Sequence, residues 1–312
     1  MKSYRSVKSL LKNLKLKGGK TLSNSDFPFL VPKEFADRIK TKSPNDPLLL
    51  QVFPHSSENN TVEGYGKDPL KEADFVKKSP LLKKYAGRAL LMPTAACAIH
   101  CRYCFRRHFP YAKTASAREL NVALDAIRSD KSINEVILSG GDPLMLSNRK
   151  LLKYLSAIDC VPHVKRLRIH SRIPIVTPSR IDEGFLKVLS KIEKPIVLVV
   201  HANHPYEIDK SVTSALANLK KTGIILLNQS VLLKDINDDE ETLKNLSEKL
   251  FSAGVLPYYL HLLDRVDGSA HFEVTDQKAR TIENALRKVL PGYLMPKFVR
   301  EIPGMHSKTP LE

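Results

Sequence analysis

The amino-acid sequence predicts an α/β fold, in which parallel strands and outer helices form an open or partial (βα)6 barrel of the TIM type. From about residue 88 onward, short apolar runs alternate with amphipathic segments, which is the pattern of consecutive βα units. Polar or glycine residues follow nearly every apolar run, as in barrels that place their ligands at the C-terminal ends of the strands. Residues 1–87 lack this pattern and predict an N-terminal wrap of helical and extended pieces.

The individual elements follow from the lengths of these runs. Buried strands are predicted at 89–95, 135–142, 166–172, 195–202, 224–231 and 257–264. Amphipathic helices are predicted at 116–130, 148–158, 182–193, 207–222, 239–253 and 274–290. We expect a pocket where the strands end, lined by Ser171, Arg172, Asn203, His204 and Gln229.

The N-terminal segment is polar and punctuated by prolines. Leu10, Leu11 and Leu14 have helical spacing, so the first residues predict an amphipathic helix. They lack the apolar core of a secretory signal, and a cytoplasmic location is therefore the default expectation. These patterns divide the chain into a wrapping segment, 1–87, and a barrel, 88–312.

The composition is ordinary except for its charge. Hydrophobic residues make up 42% and charged residues 27% of the chain, as in globular proteins. No run of about 18 apolar residues is present, so no membrane-spanning segment is predicted. The 50 Lys and Arg residues exceed the 33 Asp and Glu residues, giving a net charge of +17. Such a surface attracts nucleic acid, anionic lipid or phosphate-bearing cofactors, although it is also compatible with a merely basic, solvated surface.

Three of the four cysteines lie close together after the first predicted strand. Cys97, Cys101 and Cys104 have the spacing C-x3-C-x2-C. Thiolates are the usual ligands of iron–sulfur clusters, normally four per cubane, so three of them would leave one iron open to another ligand. The amino and carboxylate groups of S-adenosylmethionine (SAM) suit that open position.

Two other interpretations of the cysteines are possible. A structural zinc site would need His100 or His108 as its fourth ligand, although closed zinc sites usually take their ligands from two separate knuckles. A conventional cluster would need Cys160. Because Cys160 follows a predicted helix rather than a strand, we expect it to be an ordinary buried or half-buried thiol.

Together with Ser139-Gly140-Gly141-Asp142 after the second strand, the cysteine triplet resembles the signature of the radical SAM superfamily. The resemblance implies a [4Fe–4S] cluster on Cys97, Cys101 and Cys104. It also implies that Gly140, Gly141 and Asp142 bind the methionine end of SAM. Two glycines allow close approach of the backbone, and exposed N–H groups there could bond the SAM carboxylate.

From about residue 28 to the C-terminus the chain resembles the lysine 2,3-aminomutase family. The resemblance is carried by CRYCFRRHFP, LSGGDPL, IHSRIPIVTPSRI, HANHPYEI, NQSVLLKDIND and LPYYLHLLD. The compact length and the ending SKTPL resemble the bacterial branch that makes (R)-β-lysine for modifying elongation factor P. This implies L-lysine as substrate, pyridoxal phosphate beside the cluster, and a reductant protein such as flavodoxin or ferredoxin. It also implies an indirect link to elongation factor P and its ligase.

The resemblance also implies roles for single residues around pyridoxal phosphate. It places the Schiff base on Lys308, in Pro303-Gly304-Met305-His306-Ser307-Lys308, where one glycine of the family's glycine-rich turn remains. A lysine in this role must lie in a desolvated pocket so that its amine is available. Arg88, before the first strand, is implied as a contact of the phosphate group, and Tyr103 is predicted to stack on adenine.

Further residues are implied for the substrate. Arg106 matches the position that binds the substrate carboxylate, with Arg107 as the alternative. Asp264 and Glu301 match two carboxylates that bind the ε-ammonium of lysine. The family has an aspartate at the second position, so the longer Glu301 puts the substrate geometry in question. Ser171 and Gln229 are expected beside the cofactors, and His201 is either a pocket residue or a satisfied core histidine.

Two rival functions remain open at this stage. The high net charge favours a radical enzyme that modifies RNA, or a basic binding protein with a structural cluster. The absence of a recognisable RNA-binding module and of tryptophan argues against a nucleic-acid partner. An aminomutase for another amino acid is the second rival, which Asp264 and Glu301 oppose because they favour a cationic side chain. We expect no structural zinc, since the further C-terminal cysteines of the metabolic aminomutases are missing.

Overall fold

The computed structural model describes residues 2–16, 27–78, 80–109 and 117–311. The strands are β1 (Ser3–Tyr4), β2 (Val31–Pro32), β3 (Val76–Lys78), β4 (Leu81–Leu82), β5 (Arg88–Leu91), β6 (Glu135–Leu138), β7 (Arg166–Ser171), β8 (Ile196–His201), β9 (Ile225–Val231), β10 (Leu256–His261), β11 (Lys297–Arg300) and β12 (Thr309–Pro310). The helices are α1 (Val7–Leu14), α2 (Lys33–Ala36), α3 (Pro47–Leu50), α4 (Ala117–Ser129), α5 (Asn148–Asp159), α6 (Ile173–Val176), α7 (Glu183–Leu189), α8 (Lys210–Lys220), α9 (Glu240–Ser252) and α10 (Asp276–Val289).

Strands β3 to β12 form one sheet in which every strand lies beside its neighbours in sequence. β5 to β11 run parallel to one another. β3 and β4 extend one edge and β12 the other, all in antiparallel pairing. Because β3 and β12 are the two ends of the sheet, the barrel is open. The predicted partial (βα)6 barrel is therefore confirmed.

The strands and helices lie close to their predicted positions. The helices α4, α5, α7, α8, α9 and α10 connect successive parallel strands, as expected. The predicted helix at 207–222 begins later, at Lys210, because the Asp209 carboxylate accepts the Val212 N–H and caps it. The predicted start at residue 116 lies outside the described residues. Arg88, which we expected before the first strand, is the first residue of β5.

A seventh parallel strand, β11, was not predicted. It pairs with β10 on one side and with β12 on the other. The sequence KFVR is short and follows the turn at Gly292–Leu294 after α10, so its periodicity gives no separate strand signal. This strand is important for the site because it carries Glu301 at its end and faces the segment with Lys308.

The N-terminal wrap shares the hydrophobic core of the barrel. The predicted amphipathic helix is confirmed as α1, whose Leu10 and Leu14 are buried together with Phe35 and Leu48 against residues of the first five parallel strands. A second apolar cluster lies under β10, β11 and α10 and includes Phe298 and Leu294. The division at residue 87 stays a prediction. Within the described ranges, no helix combines the length and apolarity needed to cross a bilayer.

Candidate active site

A cavity of about 610 Å³ lies where the parallel strands end. This volume is in the range of small-molecule and cofactor sites. All of the residues predicted for cofactors, substrate and cluster line it, namely Cys97, Cys101, Cys104, Arg88, Tyr103, Arg106, Gly140, Gly141, Asp142, Ser171, Gln229, Asp264, Glu301 and Lys308. The roles of these residues stay predictions, but the fold brings all of them to one place.

The three cysteines lie half-buried on the loop after β5. Burial, and then the neighbouring thiols, raise the pKa of the Cys104 thiol to about 11 and also raise the pKa of the Cys97 thiol. Coordination to iron supplies positive charge that opposes both effects and keeps the sulfurs ionised. Three thiols on one loop, facing one cavity, therefore fit three corners of a [4Fe–4S] cluster.

Cys160 was expected to be a buried or half-buried thiol, and this was wrong. It is exposed, because it lies at the C-terminal end of α5, where the helix reaches the surface.

Two arginines of the cysteine loop form buried ion pairs with one carboxylate. Arg102, between two of the cysteines, is fully buried and its guanidinium donates to both oxygens of the Glu58 carboxylate. Arg107 donates to the same carboxylate at 2.7 Å. Arg107 therefore supports the loop as well, and its role as the alternative substrate clamp stays a prediction. Glu58 was not predicted, because a single carboxylate in the polar segment before the barrel gives no signal of its own.

The two glycines after β6 lie against the cysteine loop. Gly140 has φ +105°, and a Cβ at Gly141 would lie 2.5 Å from the Ala96 carbonyl oxygen. The Gly141 N–H donates to Thr94 and the Asp142 N–H to Ala96. The expectation that these N–H groups are exposed to SAM was therefore wrong for Gly141 and Asp142, since both bind the loop backbone instead.

Asp142 joins the glycine turn to the end of β7. Its carboxylate accepts from the Ser171 hydroxyl at 2.7 Å, from the Arg172 N–H at 2.8 Å, and from the N–H groups of Ile173 and Leu144. Burial raises the pKa of Asp142, and these hydrogen bonds oppose the rise. The side chains of Asp142 and Ser171 therefore bind one another and fix the wall of the cavity.

Arg172 connects four segments beneath the cavity. Its guanidinium contacts the Cys101 sulfur and donates to the Tyr103 hydroxyl at 2.6 Å, to Gln51 at 2.5 Å and to Glu207 at 2.9 Å. Tyr103, which lies on the cysteine loop between Cys101 and Cys104, is buried. Its stacking on adenine stays a prediction.

Two of the residues predicted to line the pocket lie behind its wall instead. Asn203 is completely buried, and its side chain donates to Tyr103 and Gln51. His204 is buried as well and caps the short turn at 205–207. Both were expected in the cavity because they follow β8, but the chain turns inward after His201. His201 itself lines the cavity and lies 3.2 Å from the Asn203 side chain.

Arg106 is already paired in the structure. Its Nε and Nη2 atoms each lie 2.7 Å from an oxygen of Glu72. Its Nη1 atom donates to the Ser139 hydroxyl at 3.2 Å and to the Gly140 carbonyl at 3.4 Å. The bidentate edge of the guanidinium thus faces a carboxylate of the protein itself. Glu72 comes from a short turn in the N-terminal wrap and was not predicted.

Lys308 and Glu301 meet across the hairpin formed by β11 and β12. Arg300 pairs with Thr309, which places the next residue on each side opposite the other. The Lys308 Nζ lies 2.5 Å from Glu301 Oε2, and the Lys84 Nζ lies 2.6 Å from Glu301 Oε1. Although burial opposes ionisation, the two ammonium groups hold the pKa of Glu301 well below its usual range. Lys84 comes from the loop before β5 and was also missed.

Asp264 and Arg88 have no such partners. Among the described residues, neither side chain forms an ion pair. Burial, followed by the negative charge of Glu301, raises the pKa of Asp264 to about 7. The Arg88 guanidinium stacks on the Tyr85 ring at 4.8 Å and lines the cavity. A guanidinium beside the cavity and a lysine across it fit a phosphate-bearing aldehyde such as pyridoxal phosphate.

An open parallel barrel with a three-cysteine loop after its first parallel strand defines the class of radical SAM enzymes, and the sequence model of the radical SAM superfamily matches residues 91–246. Streptococcus suis SuiB bound to S-adenosylmethionine has a similar fold, with a TM-score of 0.51 and 14% identity, over 74% of this chain and 54% of its own. A radical SAM methyltransferase from Sphaerobacter thermophilus has a TM-score of 0.50 and 15% identity, over 70% of this chain and 68% of its own. At these identities the likeness concerns the fold alone.

Sequence relatives narrow the class. The L-lysine 2,3-aminomutase of Escherichia coli K12 is 48% identical over 92% of this chain and 84% of its own length. The enzyme of Haemophilus influenzae is 45% identical over 91% of this chain and 84% of its own length. The enzyme of Clostridium subterminale is 37% identical over 88% of this chain and 66% of its own length. The chain belongs to the lysine 2,3-aminomutase family. Membership implies a [4Fe–4S] cluster, SAM and pyridoxal phosphate as its cofactors.

Proposed function

We propose that this chain is a radical SAM and pyridoxal phosphate-dependent isomerase that moves the α-amino group of L-lysine to the β-carbon. The observation that carries the proposal is that Lys308 and the cysteine loop 97–104 line one cavity. Asp264 lies in the same cavity without an ion-pair partner among the described residues. A radical source, an attachment point for an amine and a site for a cation are thus brought together.

The cysteines, Lys308 and Arg88 have separate roles in the proposed reaction. Cys97, Cys101 and Cys104 would hold the cluster, which together with SAM would supply the carbon radical that this reaction requires. Lys308 attaches pyridoxal phosphate, which when bound carries the migrating nitrogen, and Arg88 binds its phosphate.

Asp264 selects the substrate by its charge. An ionised carboxylate in this half-buried position attracts the ε-ammonium of lysine and repels the side-chain carboxylate of glutamate. The family resemblance assigns the α-carboxylate of the substrate to Arg106, which lines the same cavity. This arrangement favours lysine over the other amino acids considered above.

The test is anaerobic reconstitution with iron, sulfide, pyridoxal phosphate and SAM, followed by chromatography of the products formed from L-lysine. We expect β-lysine, and chiral chromatography tests the (R) configuration that the family resemblance favours. No β-lysine from protein that demonstrably contains cluster and pyridoxal phosphate would refute the proposed reaction. The variant Lys308→Ala should lose the product while keeping its iron, and undiminished turnover would remove the role of Lys308.

The finer assignments belong to this proposal as well. We propose that β-lysine serves the modification of elongation factor P through a ligase, and that flavodoxin or ferredoxin supplies the electron in the cytoplasm. A β-lysine-dependent mass increase of elongation factor P, present with this gene and lost on its deletion, tests the first link.

The net charge of +17 favours one alternative, a radical enzyme acting on RNA. Borohydride distinguishes the two functions, because it fixes pyridoxal to the protein in an aminomutase.

A further inference from the structure

The residue opposite Lys308 has a different role from the one its position in the family implies. Glu301 matches a carboxylate that binds the substrate's ε-ammonium, yet both of its oxygens already face cations of this chain. Lys84 lies 2.6 Å from Oε1, and Lys308 lies 2.5 Å from Oε2. The Tyr85 hydroxyl donates to Oε1 at 3.1 Å as well. Each oxygen of Glu301 is thus already paired with an ammonium group of this chain while Lys308 is there.

The backbone holds this arrangement in place. Arg300 and Thr309 are paired residues of β11 and β12, so Glu301 and Lys308 follow directly on opposite sides of the same hairpin. Lys84 and Tyr85 belong to the loop between β4 and β5 and approach Glu301 from the other edge of the cavity. Glu301 therefore stays beside the Lys308 main chain whether or not the Lys308 amine is bonded to a cofactor.

We infer that Glu301, held by Lys84 and Tyr85, is the docking site for the ammonium of Lys308 when an amino acid displaces it, and that Asp264 alone binds the substrate's ε-ammonium. The inference rests on the proposed function. Lys308 leaves the cofactor's carbon as the bond to Nζ breaks and the bond to the α-nitrogen of the amino acid forms. The proton that the amino acid's ammonium gives up ends on Lys308, so atoms and charge balance. The new ammonium then returns to Glu301.

Removal of this docking site has a distinctive consequence. If Glu301 stabilises the released lysine, its loss makes displacement harder for every amino acid by the same factor, whatever the side chain. If Glu301 binds the substrate instead, its loss weakens displacement by lysine. Displacement by norleucine, which lacks the ε-ammonium, stays unchanged. The ratio of the concentrations at which lysine and norleucine displace half of Lys308 therefore distinguishes the two roles of Glu301.

The experiment uses cluster-loaded and pyridoxal phosphate-loaded protein without SAM, so that nothing turns over. L-Lysine or L-norleucine is titrated in, and borohydride then fixes pyridoxal either on Lys308 or on the amino acid. Mass spectrometry of the peptide that contains residue 308 gives the concentration for half displacement. We expect Glu301→Gln to raise this concentration roughly three- to tenfold for both amino acids, the scale of a partly exposed ion pair.

Three further variants complete the test. Lys84→Met should show the same uniform effect, and Lys83→Met should show none, because Lys83 pairs with Asp130 outside the cavity. Asp264→Asn should raise the half-displacement concentration of lysine relative to that of norleucine by roughly 10- to 100-fold, as expected for a hydrogen bond to a charged group.

A loss in Glu301→Gln that is confined to lysine, or no change for either amino acid, would overturn the inference. Absence of pyridoxal on Lys308 in the unmodified protein would instead overturn the proposed function, and the inference with it.

Discussion

The cysteine loop leaves no room for a side chain at position 141, where the sequence has glycine. A Cβ there would lie 2.5 Å from the Ala96 carbonyl oxygen and 2.7 Å from the Ala95 carbonyl oxygen, both of them backbone atoms. Since the loop carries the proposed cluster ligands, any shift that accommodates a methyl group displaces those cysteines too. The glycine is thus needed for packing between two loops.

Gly141→Ala is expected to lower the free energy of unfolding by about 1–3 kcal/mol, the usual cost of overpacking, and to lower the iron content after reconstitution. Urea denaturation and iron analysis measure the two effects. Gly292→Ala serves as the control, because nothing lies within 4 Å of a Cβ at that position. Equal iron contents in the two variants would contradict this account of Gly141.

Asp264 should make substrate selection depend on pH. Burial, and then the charge of Glu301, raise its pKa from 3.8 to about 7. The carboxyl group is therefore neutral below about pH 7 and ionised above it, and only the ionised form pairs with an ε-ammonium. The preference for lysine over norleucine in the displacement titration should rise between about pH 6 and about pH 8. Asp264→Asn should make the preference independent of pH, and a flat profile in the unmodified protein would contradict the prediction.

At the scale of elements, the end of β7 connects the segments that surround the cysteine loop. The Arg172 guanidinium joins Cys101, Tyr103, Gln51 and Glu207, which come from three other parts of the chain. Glu207 is completely buried. Without its cation, Glu207 would be an uncompensated buried charge, and this makes the network sensitive to loss of either partner.

Arg172→Met should therefore lower the free energy of unfolding by about 3–5 kcal/mol, whereas Arg172→Met combined with Glu207→Gln should recover part of the loss. Chemical denaturation of the cofactor-free proteins measures both. If the double variant is as unstable as the single one, the unpaired carboxylate is not the cause.

The hairpin of β11 and β12 is the second such element, because it carries Lys308. Leu311, directly after β12, donates its N–H to the Phe298 carbonyl and packs on the apolar cluster under β11. Leu311→Ala is expected to cost about 1–2 kcal/mol, since the side chain is only partly buried. The yield of pyridoxal fixed on Lys308 by borohydride should fall while the iron content stays unchanged. An equal fall in iron would show that the hairpin supports the whole barrel rather than the lysine.

For the whole molecule, the sequence predicted what short-range patterns encode. Six strands and six helices follow from periodicity, and the cysteine spacing together with Gly140 and Gly141 indicated the cluster and SAM end of the site. The residues missed, such as Glu72 and Lys84, lie in the N-terminal wrap. They reach the cavity only through tertiary packing, which local periodicity does not predict.

The strand β11 was missed for a related reason. Four residues between a helix and a turn carry too little alternation to identify a strand, and its pairing with β12 depends on the completed barrel. The same pairing explains why Lys308 and Glu301 were assigned separate roles from the sequence. Their direct contact at 2.5 Å is a property of the hairpin.

The proposed ligands of the two cofactors come from opposite sides of the open sheet and line one cavity. The proposed cluster ligands lie on the loop after β5, and Lys308 lies before β12, at the other side of the open sheet. Because the two sets share no residue, each site should load without the other. Cys97→Ala should lose iron but still yield pyridoxal on Lys308 after borohydride reduction. Lys308→Ala should lose the fixed pyridoxal but keep its iron and the electron paramagnetic resonance signal of the reduced cluster. Loss of both cofactors in either variant would show that the two sites depend on one another, and that the cavity assembles as a single unit.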